Sequence, residues 1–240
     1  MTTVGSGSFV YEYIEDFPKL PAGISFGQIP AVATDSQDRL YVFQRAAVPT
    51  LIFDRDGNYL GGWGSGIMTD PHGLTIVNDI AYTTDRKDSV AVMFTLNGKP
   101  LQVIGKRGVH SDTGCEKPGE LVPRAAGPFN YPTELAPAPS GDLYVSDGYR
   151  NCCVHRFTAD GKLIQSWGKP GKSAPGEFHL SHSVVIGPDG RVYVGDRGNK
   201  RVQVFSADGK FIDMWTGMGG PNHVARSEEH TSELQSLAYL

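Results

Sequence analysis

The stretch Val154–Gly168, VHRFTADGKLIQSWG, returns as VQVFSADGKFIDMWT at Val202–Thr216, 48 residues later. A repeat of this length constrains the fold more than composition does, because each copy must be a supersecondary unit that buries its face against the next. Four copies are present: Ala31–Gly64, His72–Gly105, Thr133–Gly168 and His182–Thr216. Each reads as four short strands. The first ends at a turn (Asp38, Asn78, Gly141 or Gly190) and the second carries LYVF, IAYTT, LYVSD or VYVGD. The third carries TLIF, VAVMF, CCVHRF or RVQVF. Asp56-Gly57, Asn97-Gly98, Asp160-Gly161 and Asp208-Gly209 then predict two-residue hairpins, whose backbone demands positive φ. A short outer strand ends in Trp63, Ile104, Trp167 or Trp215. Four-stranded units of about 40 to 60 residues predict the blades of an all-β propeller. A horseshoe solenoid would need a shorter repeat, and no helical period is visible.

Composition agrees: 30 glycines, 16 prolines and 10% aromatics suit short strands joined by tight turns, and 39% apolar residues suffice for a core in 240 residues. A net charge of -4 without a dense basic stretch argues against nucleic acid as partner. No apolar run is long enough to span a membrane. The start, MTTVGSGSFVYEYIEDF, lacks the charged-then-apolar layout of a signal peptide, so the chain as written reads as cytoplasmic. Cys115, Cys152 and Cys153 form no CxxC motif, and no disulfide framework is expected. Neighbours Cys152 and Cys153 on one strand point to opposite faces, so at least one is expected in the core.

The element D-x-x-N-x-R-V-x-x-F at Asp196–Phe205, with the repeat around it, resembles the NHL repeat over roughly residues 30–220. That resemblance implies a six-bladed propeller, of which four blades are read here. Phe9–Phe17, FVYEYIEDF, reads as an outer strand that would close the last blade. After Thr216 the chain begins GMGGPNHVA and then runs RSEEHTSELQS, Arg226–Ser236, which has no strand alternation. Those residues resemble the translation of a sequencing adapter, so 1–225 reads as a partial propeller with an unclosed ring and 226–240 as a non-native tail.

Aligning the first strands of the copies places Ala31, His72, Thr133 and His182 at one position. Histidine thus recurs in alternate blades. In a six-bladed ring, alternate blades are related by a pseudo-threefold about the channel, so three such imidazoles would converge, the layout of an open zinc site. The other reading, that each histidine caps its strand by a hydrogen bond, stands level with it on spacing alone.

DPHGLTI, VSDGYRN, GEFHLSHSVVI and DRGNKRVQVF together resemble the peptidyl-α-hydroxyglycine α-amidating lyase family. The resemblance implies zinc held by three histidines, a structural calcium in the channel, and cleavage of a peptidyl-α-hydroxyglycine to a peptide amide and glyoxylate. It assigns His72 and His182 as zinc ligands, Tyr149 and Arg45 as catalytic residues, and the backbone carbonyl of Leu74 to calcium. The chemistry suits these types. Zinc is a Lewis acid for the substrate hydroxyl. A tyrosinate can take its proton where cations favour the ionised phenol, and an arginine fork pins a carboxylate. The family's third histidine has no counterpart here, so the chain itself is expected to be inactive. Asn130 and Arg150 stand where the family has a disulfide.

Two other functions stay open: a non-catalytic NHL propeller binding a protein or peptide across its rim, and a calcium-dependent lactonase-type hydrolase. The latter should line its channel with carboxylates, and Glu134 is the one rim carboxylate visible. Tyr149 reads equally well as packing at a blade's inner turn, and Arg45 as a surface ion pair. His110 falls in a long insert, Lys106–Asn130, which reads as a lid at the channel mouth or a tolerated loop. His179 reads as a loop residue, His155 as structural, and the GDR at Gly195–Arg197 as turn chemistry.

Overall fold

The computed structural model describes residues 2–7, 9–226 and 234–237, the last by backbone alone. The chain opens with an antiparallel hairpin, β1 (Thr2–Ser6) and β2 (Phe9–Tyr13). Four four-stranded antiparallel sheets follow. Blade 1 is β3 (Gln28–Thr34), β4 (Leu40–Arg45), β5 (Thr50–Phe53) and β6 (Tyr59–Trp63). Blade 2 is β7 (Pro71–Val77), β8 (Ile80–Asp85), β9 (Val90–Thr95) and β10 (Pro100–Gly105). Blade 3 is β11 (Pro132–Pro137), β12 (Leu143–Asp147), β13 (Cys153–Phe157) and β14 (Leu163–Trp167). Two short parallel strands, β15 (Lys169–Pro170) and β16 (Glu177–Phe178), lead into blade 4. That blade is β17 (Ser181–Ile186), β18 (Val192–Asp196), β19 (Arg201–Phe205) and β20 (Phe211–Trp215).

First strands pack one on the next, β3 on β7, β7 on β11, β11 on β17, so they line the axis while β6, β10, β14 and β20 form the rim. The propeller expectation holds, and the ring these blades trace is not closed among the described residues. After blade 4, β21 (His223–Arg226) packs along β17 and pairs with β22 (Leu234–Leu237). The tail therefore does hold a short strand, contrary to the sequence reading, while residues 227–233 and 238–240 lie outside the described residues. The expected closing strand at Phe9 pairs with β1 and joins none of the four blades.

Period-two alternation builds the core. On β4, Tyr41 and Phe43 face blade 2 and pack on Leu74, Val90, Val92 and Phe94, whereas Val42 between them faces Leu51 and Phe53. Blades 2 and 3 meet through Ala91, Ile104, Phe129, Leu135 and Phe157. Blades 3 and 4 meet through Tyr144, Val154, Phe178, Val184 and Phe205. Cys115 and Cys152 lie in this last cluster, and all three cysteines are buried free thiols, as the absence of a disulfide pattern implied.

The rim turns differ from expectation. Gly57, Gly98, Gly161 and Gly209 have φ between 75° and 84°, but the Asp or Asn before each does not have positive φ. Gly98 N–H donates to Thr95 O and Gly209 N–H to Ser206 O, each closing a four-residue turn followed by a register shift. These are turns ending in a glycine bulge, not two-residue hairpins. The glycine serves twice, because a Cβ on Gly98 would stand 2.5 Å from the Trp63 ring and one on Gly209 2.8 Å from Trp167. The turns of blades 2, 3 and 4 thus sit on the outer strand of the preceding blade, whereas Gly57 of blade 1 meets Phe17.

Pairing also corrects the alignment of the axis. Tyr41, Tyr82, Tyr144 and Tyr193 pair with Ala33, Thr75, Ala136 and Val185. Counting back along each first strand puts Pro30, not Ala31, level with His72, Thr133 and His182. Blade 2 turns sooner, with only Asn78 and Asp79 between the paired Val77 and Ile80, so a spacing taken from it displaces blade 1 by one residue.

Candidate functional site

Register equivalence extends to the second strands. The four tyrosines begin YVFQR, YTTDR, YVSDGY and YVGDR, so Gln44, Asp85, Asp147 and Asp196 are equivalent, and each is followed by Arg45, Arg86, Gly148 and Arg197. The first of each pair is buried and staples the chain entering its own blade. Gln44 accepts from Gly27 N–H, Asp85 from Thr69 and Asp70, Asp147 from Asn130, and Asp196 from His179. The residue after it is therefore held at the channel mouth. Three blades place an arginine there, and blade 3 places Gly148-Tyr149.

These side chains meet around a cavity of about 240 Å³. Arg45, His72, Leu74, Glu134, Tyr149 and His182 all line it, so every residue assigned from sequence is brought to one place, together with Arg197 and His223. Asp70 bridges Arg45 (2.6 Å) and Arg86 (2.9 Å). Arg86 in turn lies over the Tyr149 ring, 4.7 Å from its centroid, where the electron-rich face attracts a cation. Arg197 has no acidic partner among the described residues. Arg86 escaped the sequence reading, and Arg197 was read only as turn chemistry. The recurring Tyr-x-x-[Asp/Gln]-Arg would have found them, because an arginine at one register position in several blades must face one axis.

His72 and His182 are 6% and 8% exposed, with rings 4.9 Å apart. The Nδ1 of His72 lies 2.8 Å from Thr133 O, and that of His182 lies 2.6 Å from Asn222 O. A carbonyl only accepts, so both Nδ1 atoms carry hydrogen. Both Nε2 atoms are then bare lone pairs, and both point at Tyr149 Oη, at 3.3 Å and 3.0 Å. Burial keeps these imidazoles neutral. It holds His182 down at about 3, with Arg197 adding to the effect, and holds His72 well below the usual imidazole range, with His182 adding. One phenolic hydrogen serves two acceptor nitrogens, so the cluster has one lone pair more than it has donors. A carbonyl fixing the far nitrogen of a buried imidazole is also the arrangement that orients metal-ligating histidines.

Among the described residues no three His, Cys, Asp or Glu side chains converge as a metal cluster. Glu134 stands one residue along from the histidine position, in the channel. Its carboxylate accepts from Val184 N–H (3.0 Å) and Thr75 Oγ1 (3.3 Å), and His223 Nδ1 lies 3.3 Å away. Burial raises its pKa, against which His223 works. Leu74, whose carbonyl the sequence reading assigned to calcium, lines the same cavity, and calcium takes six to eight oxygens, waters among them.

The other histidines stand apart. His110 bonds Ser89 and leaves the cavity alone. No residue of 106–130 lines the cavity, so the insert is not a lid over it. Asn130 and Arg150 are joined through Thr113, whose hydroxyl accepts from Asn130 Nδ2 and donates to Arg150 O. His155 sits between Ser166 Oγ (2.6 Å) and Asp147 Oδ2 (3.2 Å), the connectivity of a nucleophilic triad. Ser166 lies on the exposed outer strand, away from the cavity. Gln203, level with His155 in blade 4, bonds Asp196 in the same way, so this network is structural.

The family model of the NHL repeat matches residues 182–205. Human NHL repeat-containing protein 3 is 31% identical over 86% of this chain, which covers 60% of that protein. The Drosophila melanogaster peptidyl-alpha-hydroxyglycine alpha-amidating lyase 2 is 30% identical over 74% of this chain, which covers 47% of it. The Xenopus laevis peptidyl-glycine alpha-amidating monooxygenase A is 33% identical over 74% of this chain and 19% of its own length. The chain thus spans less than two thirds of each of these relatives. Among solved structures, a gluconolactonase from Xanthomonas campestris superposes with a TM-score of 0.56 at 21% identity, covering 82% of this chain and 65% of its own. At that identity the likeness is one of fold alone. Among the described residues no helix is long and apolar enough to cross a membrane.

Proposed function

We propose that this NHL-repeat propeller, which resembles the amidating lyases, carries part of a zinc-dependent site for cleaving peptidyl-α-hydroxyglycine substrates. The observation that supports the reading most is the pair of bare Nε2 atoms converging on one phenol. An excess of neutral lone pairs in a buried cavity suits a divalent cation, and imidazole nitrogen suits zinc. His72 and His182 would hold it, oriented by Thr133 O and Asn222 O. Zinc would supply Lewis-acid polarisation of the substrate hydroxyl.

The remaining steps belong to side chains. Arg45 and Arg197 flank the cavity and suit the substrate carboxylate. Tyr149, whose Oη stands between the two Nε2 atoms and whose ring lies under Arg86, takes the hydroxyl proton as the base. The electron pair left on that oxygen then forms the C=O bond of glyoxylate, the C–N bond breaks with its pair going to nitrogen, and the proton passes to the departing amide nitrogen. No water is consumed. Two imidazoles are one short of the three protein ligands that open zinc sites use. The chain itself is therefore expected to bind zinc without appreciable turnover.

Zinc titration of the chain by calorimetry tests the reading. Binding that is lost in both His72→Ala and His182→Ala supports it. Unchanged zinc affinity in both variants would remove it. The count of two ligands also favours a second reading, a binding propeller whose arginine-lined mouth takes an acidic peptide end without chemistry. Carboxylate-terminated peptides that bind equally well with and without chelator would select that one. The calcium hydrolase is not favoured, since Glu134 is already engaged.

A further inference from the structure

Tyr149 lies in the turn between β12 and β13, a turn with no regular structure of its own. What fixes it comes from elsewhere. Gly119 N–H donates to the Tyr149 carbonyl at 2.6 Å. Thr113 Oγ1 donates to the Arg150 carbonyl at 2.6 Å. The Arg150 side chain returns to Cys115 O at 2.8 Å and to Glu116 at 2.7 Å. Asn151 and Ala126 bond in both directions, amide to side-chain oxygen and side-chain amide to carbonyl. Three successive residues of the turn are thus bonded by the insert Lys106–Asn130. The insert is itself anchored on the far side, where His179 Nε2 meets Gly119 O at 3.2 Å. His179 O in turn accepts from Gly198, inside the turn that bears Arg197. Thr113, Asn130 and Asn151 are all buried, so these bonds are not exchanged for water without cost.

An insert of this length, tied at buried polar groups and absent from the cavity wall, is out of proportion for a tolerated loop. We propose that it is a clamp that positions Tyr149. Thr113 and Gly119 set the backbone of the Tyr149–Arg150 turn, and His179 ties that setting to the Arg197 turn, so the phenol is held between His72 and His182. Thr113 and His179 are positioning residues, and neither touches the cavity contents. This rests on Tyr149 acting at that site, but the test needs neither metal nor turnover.

The probe is nitrogen-15 NMR of histidine-labelled chain, read at the His72 and His182 Nε2 atoms that meet the phenol. Tyr149→Phe gives the reference for a lost contact. Thr113→Val and His179→Ala are expected to move both resonances toward that reference, while Thr113→Ser, which keeps the hydroxyl, stays with the wild type. Amide exchange at Gly119 and Ala126, whose N–H groups donate to Tyr149 O and Asn151 Oδ1, is expected to speed up about tenfold or more in Thr113→Val. If both resonances stay at their wild-type positions in Thr113→Val and His179→Ala, the clamp is overturned. Should Thr113→Val fail to fold, His179→Ala alone decides by the same criterion. Zinc binding can fail with the clamp intact, and the clamp can fail with zinc still bound.

Discussion

Two kinds of buried histidine stand about one blade apart. His155 has an acid on one nitrogen and a hydroxyl on the other, and every lone pair has its hydrogen. His72 and His182 have a carbonyl on one nitrogen and share a single phenol on the other. The first arrangement is complete as it stands, and the second has one lone pair more than it has hydrogens among the described residues. Burial and hydrogen bonding are alike in the two. Valence distinguishes a network that holds a blade from one poised for a ligand.

The sharpest way to break this comparison is to remove each histidine and read both metal and stability. His182→Ala is expected to weaken zinc binding by about 100-fold or more, since even loss of a ligand's outer partner costs about 10–100-fold. His155→Ala should leave zinc affinity unchanged in the same calorimeter. In urea unfolding the weight is reversed. His155→Ala leaves buried Asp147 short of a partner and is expected to cost about 2–3 kcal/mol. His155→Gln should recover much of that, because Gln203 fills the level position in blade 4.

Acid gives a smaller contrast. His182 stays neutral in the fold down to about 3, while the unfolded chain protonates it near 6.5. Between those values the unfolded state binds more protons, so this histidine's contribution to stability is full above about 6.5 and is lost as pH falls toward 3. His182→Gln should flatten that decline in urea midpoints compared at about pH 7, 5 and 4. Equal slopes in both chains would mean that the axis is open to water. The smallest effect is at Ser166. Its exposed hydroxyl is replaceable by water, so Ser166→Ala is expected to cost about 0.5–1 kcal/mol. A larger loss would place Ser166 inside the network and not at its edge.

Much of this was legible because a propeller repeats its own grammar. Asp-Gly turns, the four Tyr positions and the outer tryptophans marked the blades directly, and alternate histidines marked the axis. The failures have a common physical cause, which is that the letters were compared but the pairing was not. A shorter turn in blade 2 hid that Pro30 is the true counterpart of His72. Arg86 and Arg197 were passed over because Asp-Arg after a strand is ordinary turn chemistry until the ladder shows that these residues share one level. The insert could not be interpreted from sequence at all. Its bonds run mostly through backbone carbonyls, and any residue supplies a carbonyl.

The glycine turns resting on the outer tryptophans carry a consequence for kinship between blades. Gly98 meets Trp63 and Gly209 meets Trp167, but Gly161 meets Gln102 and Ile104. Two of these junctions therefore share one lock, and the junction between blades 2 and 3 has its own. Blade 3 moved to another place in the chain would bring a key shaped for someone else's door. Duplication made these units alike, but their descendants have become neighbours by appointment. The order of the ring is inherited at its seams, in contacts that a repeat consensus averages away.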